Sequence, residues 1–378
     1  MAVPALPAPN ARHVLVFCDQ HSYCAHPHLV TSADGTWVAV FNQAPRRGFI
    51  LHPPEEPLFR NVVIRSVDEG ESWSAPEPVP DFQSAGMECA GLTPLPDGRL
   101  MLNQWRFEWL TTGQASRQQN RTDLLGSRQL LARWSSSSEH DTQDLDLEQA
   151  ARLMPWVRGG GETLISFSDD FGRSFGRSVP IDTRPFSGGY GMRGGATLSN
   201  GTILLPLCDV PHYRRVFVIQ SNDNGASWSA PRLVCTAPDL AFEEPAILQI
   251  ASGQLILVMR ENRTRHLHQI TSDDEGESWS TPCSLGIEGY PPHLLALPDG
   301  RLLMTIGWRH PDFGIRAVFS YDNGETWATG ETIAIRSGMP SRNLGYPVTM
   351  QRKDGAFFTL YYGESDQNVT GLHATIWR

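Results

Sequence analysis

The chain is a succession of short apolar, β-rich runs separated by Gly-containing turns, and the runs come in threes. Residues 292–297, 302–307 and 315–320 form one set, 245–250, 255–260 and 267–272 another, and 194–198, 203–208 and 216–221 a third. Earlier sets are 27–31, 37–42 and 61–66, then 89–95, 100–105 and 163–168. Runs of this length and composition, bounded by turn residues, predict strands. Each set ends on the same octapeptide, first seen as Ser66-Val67-Asp68-Glu69-Gly70-Glu71-Ser72-Trp73. It returns at Ser168, Ser221, Ser272 and Ser320 as Ser-x-Asp-x-Gly-x-Ser/Thr-Trp/Phe. The Asp accepts from its own turn's amides, and the Gly takes a positive φ. The five aspartates are spaced by 102, 53, 51 and 48 residues, a period near that of propeller blades.

This octapeptide resembles the Asp-box, or BNR, repeat of the sialidase superfamily. The resemblance implies an all-β, six-bladed β-propeller in which each box joins the third and fourth strands of a blade. A sixth set at 347–351, 357–362 and 372–377 lacks a fourth strand, which residues 14–18 can supply, removing an exposed edge. The long first interval is read as an insertion, 107–161, between the second and third strands of blade 2. Within it, 123–134 and 145–157 have apolar residues near helical spacing. The whole of 1–378 is read as one propeller domain. Strand direction puts the boxes on one face, and the starts of inner strands and the 2→3 loops on the other. The insertion is therefore expected at the pocket face, as a lid or as a contact between subunits.

The resemblance also implies a pocket in which three arginines hold a substrate carboxylate, a Tyr–Glu pair provides the nucleophile, and an Asp is the acid/base. Leu344-Gly345-Tyr346-Pro347 matches the nucleophile segment, and Glu244 in Phe242-Glu243-Glu244-Pro245 matches its partner. Arg260 and Arg309 match two arginines, with Arg316 as rival to the second, and Glu364 matches the family's Tyr-Glu ending. Two parts depart from the pattern. The blade 1 segment reads Ala25-His26-Pro27-His28, with no arginine, so His26 or His28 is expected to line that subsite. The following loop has no Asp and offers Arg46, Arg47, His52, Glu55 and Glu56. By position, Glu88, Tyr190 and Arg193 join the candidates, Arg193 for substrate binding. Glu88 with Glu244 resembles the two-glutamate arrangement of exo-arabinanases. Structural alternatives stand beside these roles: Glu244 as a strand cap, Tyr346 as a core aromatic, the arginines as partners of surface acids.

Charge narrows the partners. The net charge of −10 argues against nucleic acid or an anionic membrane. Basic residues are arginine except for Lys353, and arginine suits bidentate grips on carboxylates. No run is long enough to span a membrane, and the N-terminal residues do not read as a secretion signal. Six scattered cysteines suggest free thiols in a reducing, cytoplasmic setting. No cofactor or metal is expected. The reading is an exo-acting glycoside hydrolase with tyrosine nucleophile, acting on a small, carboxylate-bearing glycan. Glu88 or a glutamate of the blade 1 loop would be its acid. A uronic-acid lyase and a non-catalytic glycan-binding propeller are the alternatives.

Overall fold

The computed structural model describes residues 5–46, 56–79, 87–118, 120–126, 129, 148, 152, 154–186, 188–210, 213–365, 367 and 369–378. For Glu88 and Cys89 it describes the backbone only. The strands form six antiparallel sheets. Blade 1 contains Ser22–Thr31, Trp37–Pro45, Arg60–Ser66 and Glu77–Pro78. Blade 2 contains Met87–Pro94, Leu100–Thr111, Trp156–Ser168 and Val179–Pro180. Blade 3 contains Ala196–Thr197, Ile203–Cys208, Arg215–Ser221 and Arg232–Thr236. Blade 4 contains Phe242–Gln249, Leu255–Glu261, His266–Ser272 and Cys283–Glu288. Blade 5 contains His293–Ala296, Leu302–Trp308, Gly314–Ser320 and Ile333–Arg336. Blade 6 contains Leu344–Gln351, Phe357–Glu364 and Thr370–Trp377, completed on its outside by Arg12–Cys18. The N-terminal strand thus closes the ring as expected, and Leu6–Pro7 adds a short parallel strand to blade 5.

Both faces of a blade are covered by neighbours, so second strands such as Leu255–Glu261 are buried throughout. The apolar cores lie between blades. Val38 and Val40 meet Leu92 and Leu102 between blades 1 and 2, and Ile256 and Val258 meet Met304 and Ile306 between blades 4 and 5. Each Asp box seals onto the preceding blade. A Cβ on Gly70, which has φ +89°, would sit 2.5 Å from the Phe358 ring of blade 6, so the first box also helps close the ring. In that box Asp68 Oδ1 accepts from Ser66 Oγ and the Ser72 amide, both at 2.8 Å, and Asp68 Oδ2 accepts from Ser72 Oγ. The bonds explain why the Asp carboxyls lie below the usual range: in Asp68 the Ser72 hydroxyl is the largest cause. Asp170 makes the same three bonds. Asp170→Ala is expected to cost about 1–2 kcal/mol, read as a fall of a few degrees in Tm.

The insertion corrects two expectations. Its arms are strand: Leu100–Thr111 pairs with Trp156–Ser168 well beyond the other blades' hairpins. The inserted stretch therefore begins after Thr111, with the short helix Thr112–Ala115 under a Thr111–Gln114 capping box. In the expected helix 123–134, Leu125–Gly126 is instead a strand paired with Val157 and Arg158. Trp156 and Val157, at the end of the other, are strand as well. Cross-strand packing has overridden the helical spacing at these ends, whereas Gln129 in the first range and Glu148 and Arg152 in the second are helical as expected. Most of 127–153 lies outside the described residues.

Candidate active site

Four inner strands carry a residue followed by proline, within the strand at His26-Pro27, Glu244-Pro245 and Tyr346-Pro347 and just ahead of it at Tyr290-Pro291. Pairing with the second strand skips at this point in blades 1, 4 and 6, between Ala25 and His28, Glu243 and Ala246, and Gly345 and Val348. His26, Glu244 and Tyr346 carry the bulges, with φ of 55°, 52° and 54°. Such backbone costs about 1–3 kcal/mol per residue and gathers where a side chain must be re-aimed. Here the three side chains are turned together at the centre of the ring.

The Tyr346 hydroxyl donates to Glu244 Oε1, and both residues are buried, Glu244 at 1% exposure. Arg260 Nη1 donates to Glu244 Oε2 at 3.1 Å, while its Nε reaches Asn262 Oδ1 at 2.8 Å and Glu243 Oε1 at 3.1 Å. Arg309 Nε donates to the Leu344 carbonyl at 3.0 Å and Nη2 to the Tyr362 hydroxyl at 3.4 Å. Both guanidinium groups lie over the Tyr290 ring, at 4.3 and 5.5 Å. The His26 ring is 4.3 Å from that of Tyr346 and 5.2 Å from that of Tyr362. Burial pushes the Tyr346 phenol well above its ordinary range, and the Glu244 carboxylate adds to this. The phenol is therefore neutral and directed at a carboxylate. His26 is held by a chain of amides: its Nδ1 is 2.9 Å from Asn42 Oδ1, Asn42 donates to Asn61, and Asn61 Nδ2 donates to Gln104 Oε1 at 2.7 Å. Burial pushes its imidazole down to about 3, so the ring is neutral.

Of the expected residues, Tyr346, Glu244, Arg260, Arg309 and His26 come together. Arg316 stacks on Trp308 at 3.6 Å. Two expectations are corrected. Arg193 is not free to take substrate: it is 3% exposed and donates to the carbonyls of Pro292 (3.2 Å), Pro27 (3.5 Å) and Pro347 (2.9 Å), beneath the bulges. His28 lies past the bulge, where its Nδ1 accepts from the Leu92 amide at 2.9 Å, so it lines the axis below the site. Glu364 ends the second strand of blade 6 and accepts from Ser341 Oγ, with no contact to Tyr346. Glu88 opens the inner strand of blade 2, but its side chain lies outside the described residues. So do Arg47, His52 and Glu55, whereas Glu56 is buried and accepts from the Leu58 amide at 3.1 Å. Tyr190 packs on Tyr213, with ring centroids 5.9 Å apart.

Sequence reasoning missed Tyr290, the platform beneath both arginines, although the shared X-Pro start marks it. It also missed Tyr23, whose ring lies 6.5 Å from that of Tyr362. Among the described residues no group of three His, Cys, Asp or Glu is placed to hold a metal ion, and no helix is long and apolar enough to cross a membrane.

The neutral histidines make stability depend on pH. His26 and His28 have pKa values of about 3 in the fold, against 6.5 ordinarily. Below that ordinary value the unfolded chain takes up protons that the folded chain refuses. Stability is therefore expected to fall from about pH 6.5 toward about pH 3, by about 1.4 kcal/mol per pH unit for each histidine. Denaturant titrations across this window should show a shallower slope, by one proton, in His26→Gln. An unchanged slope would contradict a buried neutral His26.

The model of the BNR repeat-like domain matches residues 153–359. No curated protein matches the chain. A protein of unknown function from Dyadobacter fermentans superposes with a TM-score of 0.79 at 20% identity, covering 98% of this chain and 100% of that one. The NanB sialidase of Streptococcus pneumoniae gives 0.67 at 13%, over 96% and 70%. The intramolecular trans-sialidase of Ruminococcus gnavus gives 0.67 at 15%, over 99% and 98%. The family match spans more than half of the chain and includes four of its five boxes, so this six-bladed, sialidase-like propeller belongs to the BNR repeat-like domain family.

Proposed function

We propose that the chain is an exo-acting glycoside hydrolase on a small, carboxylate-bearing glycan. The observation that carries this reading is the Tyr346 hydroxyl bonded to Glu244, with Arg260 and Arg309 beside it. As the Tyr346 oxygen bonds to the anomeric carbon, its proton passes to Glu244 and the bond to the leaving oxygen breaks. An acid protonates that oxygen; Glu88 and Glu56 are the candidates. Water, giving a proton back to that acid's conjugate base, then displaces the tyrosine, Glu244 returns its proton to the tyrosine oxygen, and two displacements leave the anomeric configuration unchanged. A neutral phenol suits this attack because it approaches an anionic substrate without charge repulsion. Arg309 takes the larger part in holding the carboxylate, since Arg260 already serves Glu243 and Glu244.

A second reading is favoured by one contact, the neutral His26 ring against Tyr346. In a lyase acting on uronic-acid glycans these two would move the protons and the arginines would neutralise the carboxylate. Incubation with acidic glycans and their aryl glycosides separates the readings. Hydrolysis releases a saturated sugar, elimination releases an unsaturated, ultraviolet-absorbing one, and saturable binding without turnover would leave a binding propeller.

A further inference from the structure

Below the candidate active site, a cavity of about 360 Å³ lies on the propeller axis. Inner strands or strand starts of all six blades line it, those of blades 1, 4 and 6 past the point where the bulges turn side chains upward. Its polar lining is unusual in kind. Arg193 is almost fully buried, and no carboxylate among the described residues is within salt-bridge distance of it. Three of its five N–H groups go to proline carbonyls, leaving two. His28 and His293 stand on the same cavity.

Both imidazoles have their Nδ1 lone pair occupied by a main-chain amide: Leu92 on His28 at 2.9 Å, Thr349 on His293 at 3.4 Å. Burial, and after it the Arg193 charge, keeps both rings neutral, His28 at about 3 and His293 well below the ordinary value. In a neutral ring whose Nδ1 accepts, the proton is on Nε2. Each ring therefore offers an N–H, for which the described residues supply no acceptor. The set is two imidazole N–H donors and a buried guanidinium with donors to spare.

We propose that this axial cavity is a binding site for a small monovalent anion, a halide or a carboxylate of acetate size. A metal cation is disfavoured, because the histidine lone pairs are taken and Arg193 would repel it. Water satisfies donors but brings no charge to Arg193, whose opposite charge, Glu244, acts on it only from beyond salt-bridge distance. The volume equals that of about a dozen liquid waters, which accommodates either anion.

The test uses the full chain. Crystals soaked in bromide are expected to show an anomalous peak within hydrogen-bond reach of His28 Nε2, His293 Nε2 or Arg193. Thermal unfolding at fixed ionic strength should show a saturable rise in Tm with bromide or acetate over gluconate. In His293→Leu the half-saturating concentration should rise roughly tenfold or more, by loss of a hydrogen bond to a charged group. A response to bromide alone assigns a halide site, and a response to both assigns one that admits a carboxylate. A cavity holding only water or a metal ion after the bromide soak would overturn the proposal, as would equal Tm in all three salts. The soak decides the matter even if the variant does not fold.

Discussion

Tyr346→Phe is expected to lower kcat on any glycoside the protein hydrolyses by roughly 10³-fold or more, with little change in fold. The substitution removes one oxygen and leaves the ring between His26 and Tyr362, where it packs 4.3 and 5.8 Å from its neighbours. Glu244→Gln should cost roughly 10²–10⁴-fold, because it keeps the size of the side chain but removes the proton acceptor. The two losses should not add, since tyrosine and glutamate act in one step. A purely structural role would give a different result: lower Tm in both variants with turnover retained. The most specific readout is chemical. A slow fluorinated glycoside should label Tyr346 in the wild type and nothing in Tyr346→Phe. Labelling of another residue, or undiminished turnover by Tyr346→Phe, would remove the tyrosine from the mechanism.

The second expected result is that sialosides are poor substrates, with kcat/KM at least roughly 10²-fold below the best member of a panel of aryl uronides and neutral aryl glycosides. Sialidases resembling this chain are expected to hold the carboxylate with three arginines. Here the start of blade 1 brings His26, neutral and tied to Asn42, to the side of Tyr346. Loss of one charge-assisted grip costs about 1.5–3 kcal/mol, or about one to two powers of ten in binding. Arg260 does not compensate, because its guanidinium is shared between Glu243 and Glu244. The absence of an Asp from the blade 1 loop removes the expected acid, a further factor of roughly 10²–10⁴ if no glutamate replaces it. The measurement is turnover of an aryl sialoside beside the panel. Rapid sialoside turnover, lost in Tyr346→Phe but kept in His26→Ala, would show that Arg46 or Arg47 supplies the missing cation.

The ring of blades and its closure are legible in the amino-acid sequence by itself, and the Tyr346–Glu244 pair follows from the resemblance that the boxes carry. The boxes repeat at blade length, the apolar runs come in threes, and a strand lacking a partner at one end of the chain is matched by one at the other. These are local patterns, and local patterns survive in sequence. What only the tertiary structure decided lies at the bulges. A positive φ at His26, Glu244 and Tyr346 breaks the alternation of a strand, so the period of two no longer says which side chain faces the pocket. That is why His26 reaches the site while His28, two residues on, lines the axis below, and why Arg193 serves three proline carbonyls from other blades. Tyr290 beneath the arginines, and the strand pairing of Leu125–Gly126 with Val157 and Arg158, likewise depend on partners distant in the chain. Contacts across the ring join residues as far apart as Arg193 and Pro27, and no spacing along one strand encodes them.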